Sequence, residues 1–314
     1  MERSFIVRYQ EPIKFTEEQL KVFWLPDELK VEKDLPDFKT KMTTAEQHAV
    51  STTLKLFSAY EVYAGIDYWL GKVLPHYKNI PEICRMASTF GMFELAVHQP
   101  FYTKLNEVVG LHTEEFYSSY KEIEVLKNRM SFIDNLLEED VSPVQLAVFS
   151  LIEGCVLYSS FAFLKHFQNN GKNLINTVVR GIDFSVRDEN LHCLGGAWLY
   201  NLETSHFSDE LKGHFEREVK EYANIIYEHE CGIIDLMFAN GSIEGITPIQ
   251  LKHFVESRIN LCLSHLGMSK LFEVKYNPIA DWFYTSINSY KYNDFFSGVG
   301  NEYQRNWAES EFVW

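Results

Sequence analysis

The sequence predicts an all-α protein, a helical bundle with a buried site for two metal ions. Three observations carry this. Glycine (16) and proline (9) are scarce in 314 residues, which favours long helices over a loop-rich β fold. Aromatic residues are abundant, with 24 Phe and 17 Tyr, as a bulky interior requires. Four long apolar stretches each carry an acid where a solvated acid is out of place, and two of them add a histidine one turn on. A chain of this length buries a large core.

Residues 1–15 are aperiodic and read as an N-terminal arm. The bundle is expected over 16–287 and a flexible tail over 288–314. Thr16-Glu17-Glu18-Gln19 opens a short helix that runs into Phe23-Trp24-Leu25-Pro26, where the proline stops or kinks it. Trp24 taken alone is a core anchor. Thr43-Thr44-Ala45-Glu46 is a helix start with capping-box chemistry, and the helix continues to about Lys72. Glu61 lies in it among Phe57, Ala59, Tyr60, Val62 and Ala64. Its ordinary reading is an exposed acid on an amphipathic face.

Pro81-Glu82 starts the next helix, which carries Glu94 and His98, four residues apart on one face. Pro100 follows, so a distortion is expected there. Residues 104–140 are helical with a break at Gly110 and His112-Thr113, and show no chemistry. Ser142-Pro143 caps a stretch from Leu146 to Leu164 whose one charge is Glu153. Its length suits a membrane span. A carboxylate at its centre favours instead a helix buried on all sides, with Glu153 facing a metal. After a turn at Asn169-Asn170-Gly171-Lys172 comes the helix with Glu189 and His192, three residues apart and one turn apart on one side. Its Gly195-Gly196 marks a close contact. Amphipathic helices follow over 208–240 and from Thr247-Pro248, and Asn277-Pro278 breaks the pattern.

The net charge of −15, with no Lys/Arg cluster, argues against a nucleic-acid binder. The start of the chain lacks the pattern of a secretory leader, and the five cysteines (Cys84, Cys155, Cys193, Cys231, Cys262) form no C-x-x-C. Reduced thiols and a cytoplasmic setting are expected. Glu61, Glu94, His98, Glu153, Glu189 and His192 together suit two adjacent first-row ions, because four carboxylates nearly neutralise two divalent cations in a dry core.

At this point the chain resembles a known family, the small, radical-generating subunit of class I ribonucleotide reductase. Phe23-Trp24-Leu25-Pro26-Asp27-Glu28 is similar to its Phe-Trp-x-Pro-Glu-Glu segment, and Arg187-Asp188-Glu189-Asn190-Leu191-His192 to its Arg-Asp-Glu-x-x-His. Asn277-Pro278-Ile279 resembles its Asn-Pro turn. Phe295-Phe296 and Asn301-Glu302-Tyr303-Gln304-Arg305 resemble the eukaryotic-type tail. The resemblance implies a ferritin-like bundle, with the six residues above as ligands and two metal ions per chain. Di-iron comes first, with manganese–iron and di-manganese as the other options. It implies a radical at Tyr102, walled by Phe101 and Phe161, and a relay through Trp24, Asp188 and His98. It also implies Tyr303 as the link to a large catalytic subunit on which the tail docks, and a homodimer; neither nucleic acid nor membrane is involved. The activity implied is reduction of ribonucleotides to deoxyribonucleotides.

Two departures stand out. The first ligand of the family is usually Asp and here is Glu61. The second pair is Glu-x-x-His in the family and Glu94-x-x-x-His98 here. Either an inserted residue is absorbed as a bulge, or Glu94 is not a ligand. A competing expectation is an oxidase or desaturase on the same bundle, acting on its own apolar substrate. Such an enzyme needs no Trp24 relay and no docking tail. A ferritin-type iron store is the third.

Overall fold

The computed structural model describes residues 6–169, 171–273 and 275–288. Tyr303 and the rest of the expected tail beyond Asn288 lie outside them. Among the described residues there are helices and one isolated bridge, Ile243 to Ile246, and no strand.

The first helix, α1 (Glu11–Lys21), opens earlier than the sequence pattern suggested. Pro12 is preset for a first turn and Glu11 complements the exposed amides there. The residues before it are tied down. The backbone N–H groups of Arg8 and Tyr9 donate to Glu82 Oε1 at 2.8 and 3.1 Å. Glu82 stands in the first turn of α3 (Pro81–Phe93).

Helix α2 (Thr44–Val62) has the capping box read from the sequence: Glu46 N–H donates to Thr43 Oγ1 at 3.2 Å, and Thr43 N–H to Glu46 Oε2 at 2.8 Å. It continues without a break as a π-helical segment, Tyr63–Val73. A second π turn, Glu94–His98, joins α3 to α4 (Gln99–Val109). Pro100 then sits in the first turn of α4, where its missing N–H costs nothing. Gly110, at φ 81°, ends α4 in the left-handed conformation that glycine adopts without strain.

After α5 (Glu124–Glu138), Ser142 caps α6 (Pro143–Cys155), and the apolar run breaks at Val156-Leu157 before α7 (Tyr158–Lys165). The apolar window in this run is 94% buried, so it is the core helix and not a membrane span. Helix α8 (Asn176–Thr204) lies along α6, and α9 (Asp209–Met237), α10 (Pro248–His265) and α11 (Pro278–Asn288) complete the bundle.

Three glycines let α8 press against its neighbours. A Cβ on Gly195 would come 2.6 Å from Phe90 Cε2, one on Gly196 3.1 Å from Ser150 Cβ, and one on Gly181 2.2 Å from Phe101 Cζ. Phe101 is fully packed and has no room to yield. Gly181→Ala is therefore expected to cost about 2–3 kcal/mol, seen as an earlier denaturation midpoint.

A second expectation concerns acid. Burial pulls the imidazole of His166, on the turn after α7, down to about 4, against a hydrogen bond to the Phe163 carbonyl that favours its charge. Between pH 6.5 and 4 the unfolded chain takes up this proton and the folded chain does not, so this stability is lost as pH falls through that window. His166→Leu should flatten the pH dependence of the unfolding free energy between pH 7 and 4.5, by about 2 kcal/mol. The comparison of the two proteins by denaturant titration cancels the groups they share.

Candidate metal centre

All six sequence-predicted ligands meet at one place in the core. Glu61 comes from the last turn of α2, Glu94 and His98 from the π turn, Glu153 from α6, and Glu189 and His192 from α8. They form two overlapping groups. Glu61, Glu94, His98 and Glu189 offer donor atoms within 4.8 Å of one another, as do Glu94, Glu153, Glu189 and His192. Glu94 and Glu189 belong to both, as bridging carboxylates between two ions would.

The donor atoms face inward. His98 Nδ1 lies 2.9 Å from Glu94 Oε2, 3.2 Å from Glu189 Oε1 and 3.4 Å from Glu61 Oε2. His192 Nδ1 lies 2.5 Å from Glu94 Oε1, 3.7 Å from Glu189 Oε2 and 3.8 Å from Glu153 Oε2. The backbone shows how the four-residue spacing is accommodated. Gln99 N–H donates to Glu94 O, five residues back, and this wider turn holds one more residue than an α turn. Glu94 reaches both histidines as a result. Gly65 in the other π segment makes room for it: a Cβ there would sit 3.0 Å from Glu94 Cβ and 2.7 Å from Leu95 Cγ.

Electrostatics in this cluster are severe. Burial raises Glu61 and Glu153 well above the ordinary carboxylate range, helped by the charge of Glu94 on the first and of Glu189 on the second. Burial would raise Glu94 too, but the imidazoles of His192 and His98 outweigh it and pull it well below. Burial lowers those two imidazoles, and the Glu94 charge with the surrounding acids reverses that and holds both well above their usual value. Without cations the acids must share protons to exist here. The donor set fits two divalent ions on a further count. Glu61 Oε1 is buried and makes no hydrogen bond.

Outer partners fix the ligands. Asp188 Oδ2 faces His98 Nε2 at 3.1 Å and accepts from Trp24 Nε1 at 2.8 Å. The sequence reading expected such an acid behind the histidine. Arg187 Nη2 stands 3.4 Å from Asp188 Oδ1 and donates to Val22 O at 2.8 Å, anchoring the end of α1 to α8. One partner was missed from sequence: Trp69, in the π segment, donates from Nε1 to Glu153 Oε1 at 2.7 Å. Nothing in its neighbourhood marks it, because its partner comes from another helix.

Tyr102 lies one turn beyond His98, fully buried. Ser185 is the polar side chain beside its hydroxyl. Burial and the Glu61 charge push the phenol well above its usual value, so it stays protonated. Phe57 and Phe101 wall it, with ring centroids at 4.7 and 5.1 Å. Phe161, expected as a wall, packs behind Phe57 at 5.6 Å.

Trp69→Phe removes the donor to Glu153 while keeping an aromatic ring. It is expected to weaken metal binding by about 10–100-fold in competition with a chelator.

Comparisons with known proteins agree with this geometry. The sequence model of the family described as ribonucleotide reductase, small chain, matches residues 3–278. The ribonucleoside-diphosphate reductase subunit beta of Halalkalibacterium halodurans is 26% identical over 323 residues, covering 98% of this chain and 89% of that one. Ribonucleoside-diphosphate reductase 1 subunit beta of Escherichia coli O157:H7 is 24% identical over 301 residues, covering 85% and 78%. Two solved structures share the fold. The dimanganese(II)-NrdF of Streptococcus sanguinis superposes with a TM-score of 0.75 at 18% identity, covering 88% of this chain and 96% of that one. The ribonucleotide reductase R2 subunit from Clostridium botulinum does so with a TM-score of 0.71 at 20% identity, covering 89% of each. The chain belongs to the ribonucleotide reductase small-chain family, and its function is that of the enzyme's small subunit.

Proposed function

We propose that Glu61, Glu94, His98, Glu153, Glu189 and His192 hold two first-row ions per chain, and that Tyr102 is the residue that stores an oxidising equivalent for the large subunit. The observation that carries this is the placement of two different structures around the acid cluster. A sealed tyrosine lies on one side, and a hydrogen-bonded line from His98 through Asp188 to Trp24 leaves on another. When bound, the ions would supply the one-electron oxidising power that the side chains lack. Iron is the first choice for both positions. Manganese in one or both is the alternative, and a relative of the same fold is a dimanganese protein.

Each residue then has a physical task. The phenol of Tyr102 is protonated at rest, so with ions bound it would give its electron to them and its Oη proton to the Glu61 carboxylate, whose charge acts on it. Phe57 and Phe101 exclude water and offer no reactive group to the radical. His98 would help hold the ions, and its Nε2 faces Asp188 Oδ2 at 3.1 Å. Asp188 Oδ2 accepts the indole proton of Trp24 as that ring is oxidised. The exposed Leu25 follows Trp24, so the line ends close to the surface. Tyr303 and the docking of residues 300–314 on the large subunit, with pairing of two copies, complete the proposal from sequence. The free state of Cys84, Cys155, Cys193, Cys231 and Cys262 fits a cytoplasmic setting.

The test is to load metal-free protein with iron(II), admit oxygen, and record a low-temperature electron paramagnetic resonance spectrum with a metal count. The expected result is about two metals per chain and an organic radical that disappears in Tyr102→Phe without loss of metal. A radical that survives the substitution would remove Tyr102 from the proposal. Repeating the loading with manganese separates the metal alternatives.

A further inference from the structure

We propose that divalent cations reach the metal centre through an acidic groove between the π segment of α2 and helix α5, with Tyr63 as the door; this rests on the ligand reading above. Two spaces meet at this side chain. The inner one is a cavity of about 30 Å³, whose wall includes Glu61, Glu94, Glu153 and Glu189 as well as Tyr63 and Ala64. The outer one is a surface groove of about 710 Å³, bordered by Tyr63, Asp67, Lys72, Asp134 and Glu138. Of the residues that line the two, Tyr63 alone belongs to both.

The chemistry of each space suits a cation. The groove presents three carboxylates against one ammonium, and that ammonium, Lys72 Nζ, already donates to Glu139 O at 2.8 Å. Such a surface concentrates cations and repels anions. The cavity behind it has room for only about two water-sized spheres, so an ion must leave most of its hydration shell in the groove. Replacement oxygens are close by. Glu61 precedes Tyr63 by two residues, lines the cavity, and keeps a buried Oε1 with no hydrogen-bond partner. Asp134 borders the groove with Tyr63, and its charge acts on the Tyr63 phenol. An ion bound at Asp134 neutralises that charge beside the ring. The door therefore responds to the species it admits.

The rate of cobalt(II) uptake by metal-free protein tests this. Stopped-flow absorption gives the rate and elemental analysis gives the end point. The variant Asp67→Asn/Asp134→Asn/Glu138→Gln changes exposed side chains alone and leaves the core intact. It is expected to load about 10-fold more slowly at low ionic strength. The difference should close as salt is added, because exposed charges are screened. The final stoichiometry should match wild type. Tyr63→Ala, or Tyr63→Phe if the alanine variant does not fold, is expected to load and release cobalt(II) faster. Loading of every variant within twofold of wild type, with the full complement of ions bound, would overturn the route while leaving the ligand reading in place. Failure of the wild-type protein to bind cobalt(II) would overturn both.

Discussion

The structure depends on one constraint: four carboxylates and two imidazoles must share a dry core. An isolated buried carboxylate is too costly to ionise, and six such groups are tolerable only as a mutually compensating set that cations complete. That set needs backbone on every side, which four segments from α2, the π turn, α6 and α8 provide. Close packing around them in turn needs Gly65 against the π turn, Gly196 against α6, and Gly181 and Gly195 against Phe101 and Phe90 of the neighbouring helices. The ligands are then aimed by groups one step further out, Asp188 and Trp69, so that little in the first layer is left to rotate.

Much of this was legible in the sequence because it violates the ordinary pattern of a helix. Glu153 in an otherwise apolar run has no comfortable solvent-facing reading, whereas Glu61, among aromatic and aliphatic neighbours, gained its meaning only beside the acids of the other helices. Thr43 with Glu46, Ser142 before Pro143, and Thr247 with Gln250 announce helix starts through local hydrogen bonds that a few residues determine. What stayed hidden depends on partners distant in the chain. Trp69 reads as one more core aromatic until α6 is placed beside it. Helix α1 starts at Glu11 rather than Thr16, on the strength of a proline and an acid that could equally belong to a loop. The arm before it is held by Glu82, a contact across 73 and 74 positions that no local pattern encodes.

The same cluster separates two demands on one protein. Storing an oxidised side chain calls for a pocket without water or labile hydrogen atoms, which Tyr102 has between Phe57 and Phe101. Acquiring metal calls for contact with water. Tyr102 lies one turn beyond His98, and Tyr63 and the cavity border Glu61 and Glu153. The hydrogen bonds from His98 through Asp188 to Trp24 lie near the junction of α1 with α8.

The π turn at Glu94–His98 also has a meaning for how related chains should be compared. An additional residue in an α-helix rotates everything after it by about 100°. Here the wider turn takes up that rotation within itself, so His98 and Tyr102 keep the phase of an uninterrupted helix. The gap in an alignment therefore belongs inside a continuous helix, between two ligands, where alignment methods penalise gaps most. A search keyed to two Glu-x-x-His pairs would find Glu189 with His192 and pass over Glu94 with His98, although both pairs meet in the same acid cluster.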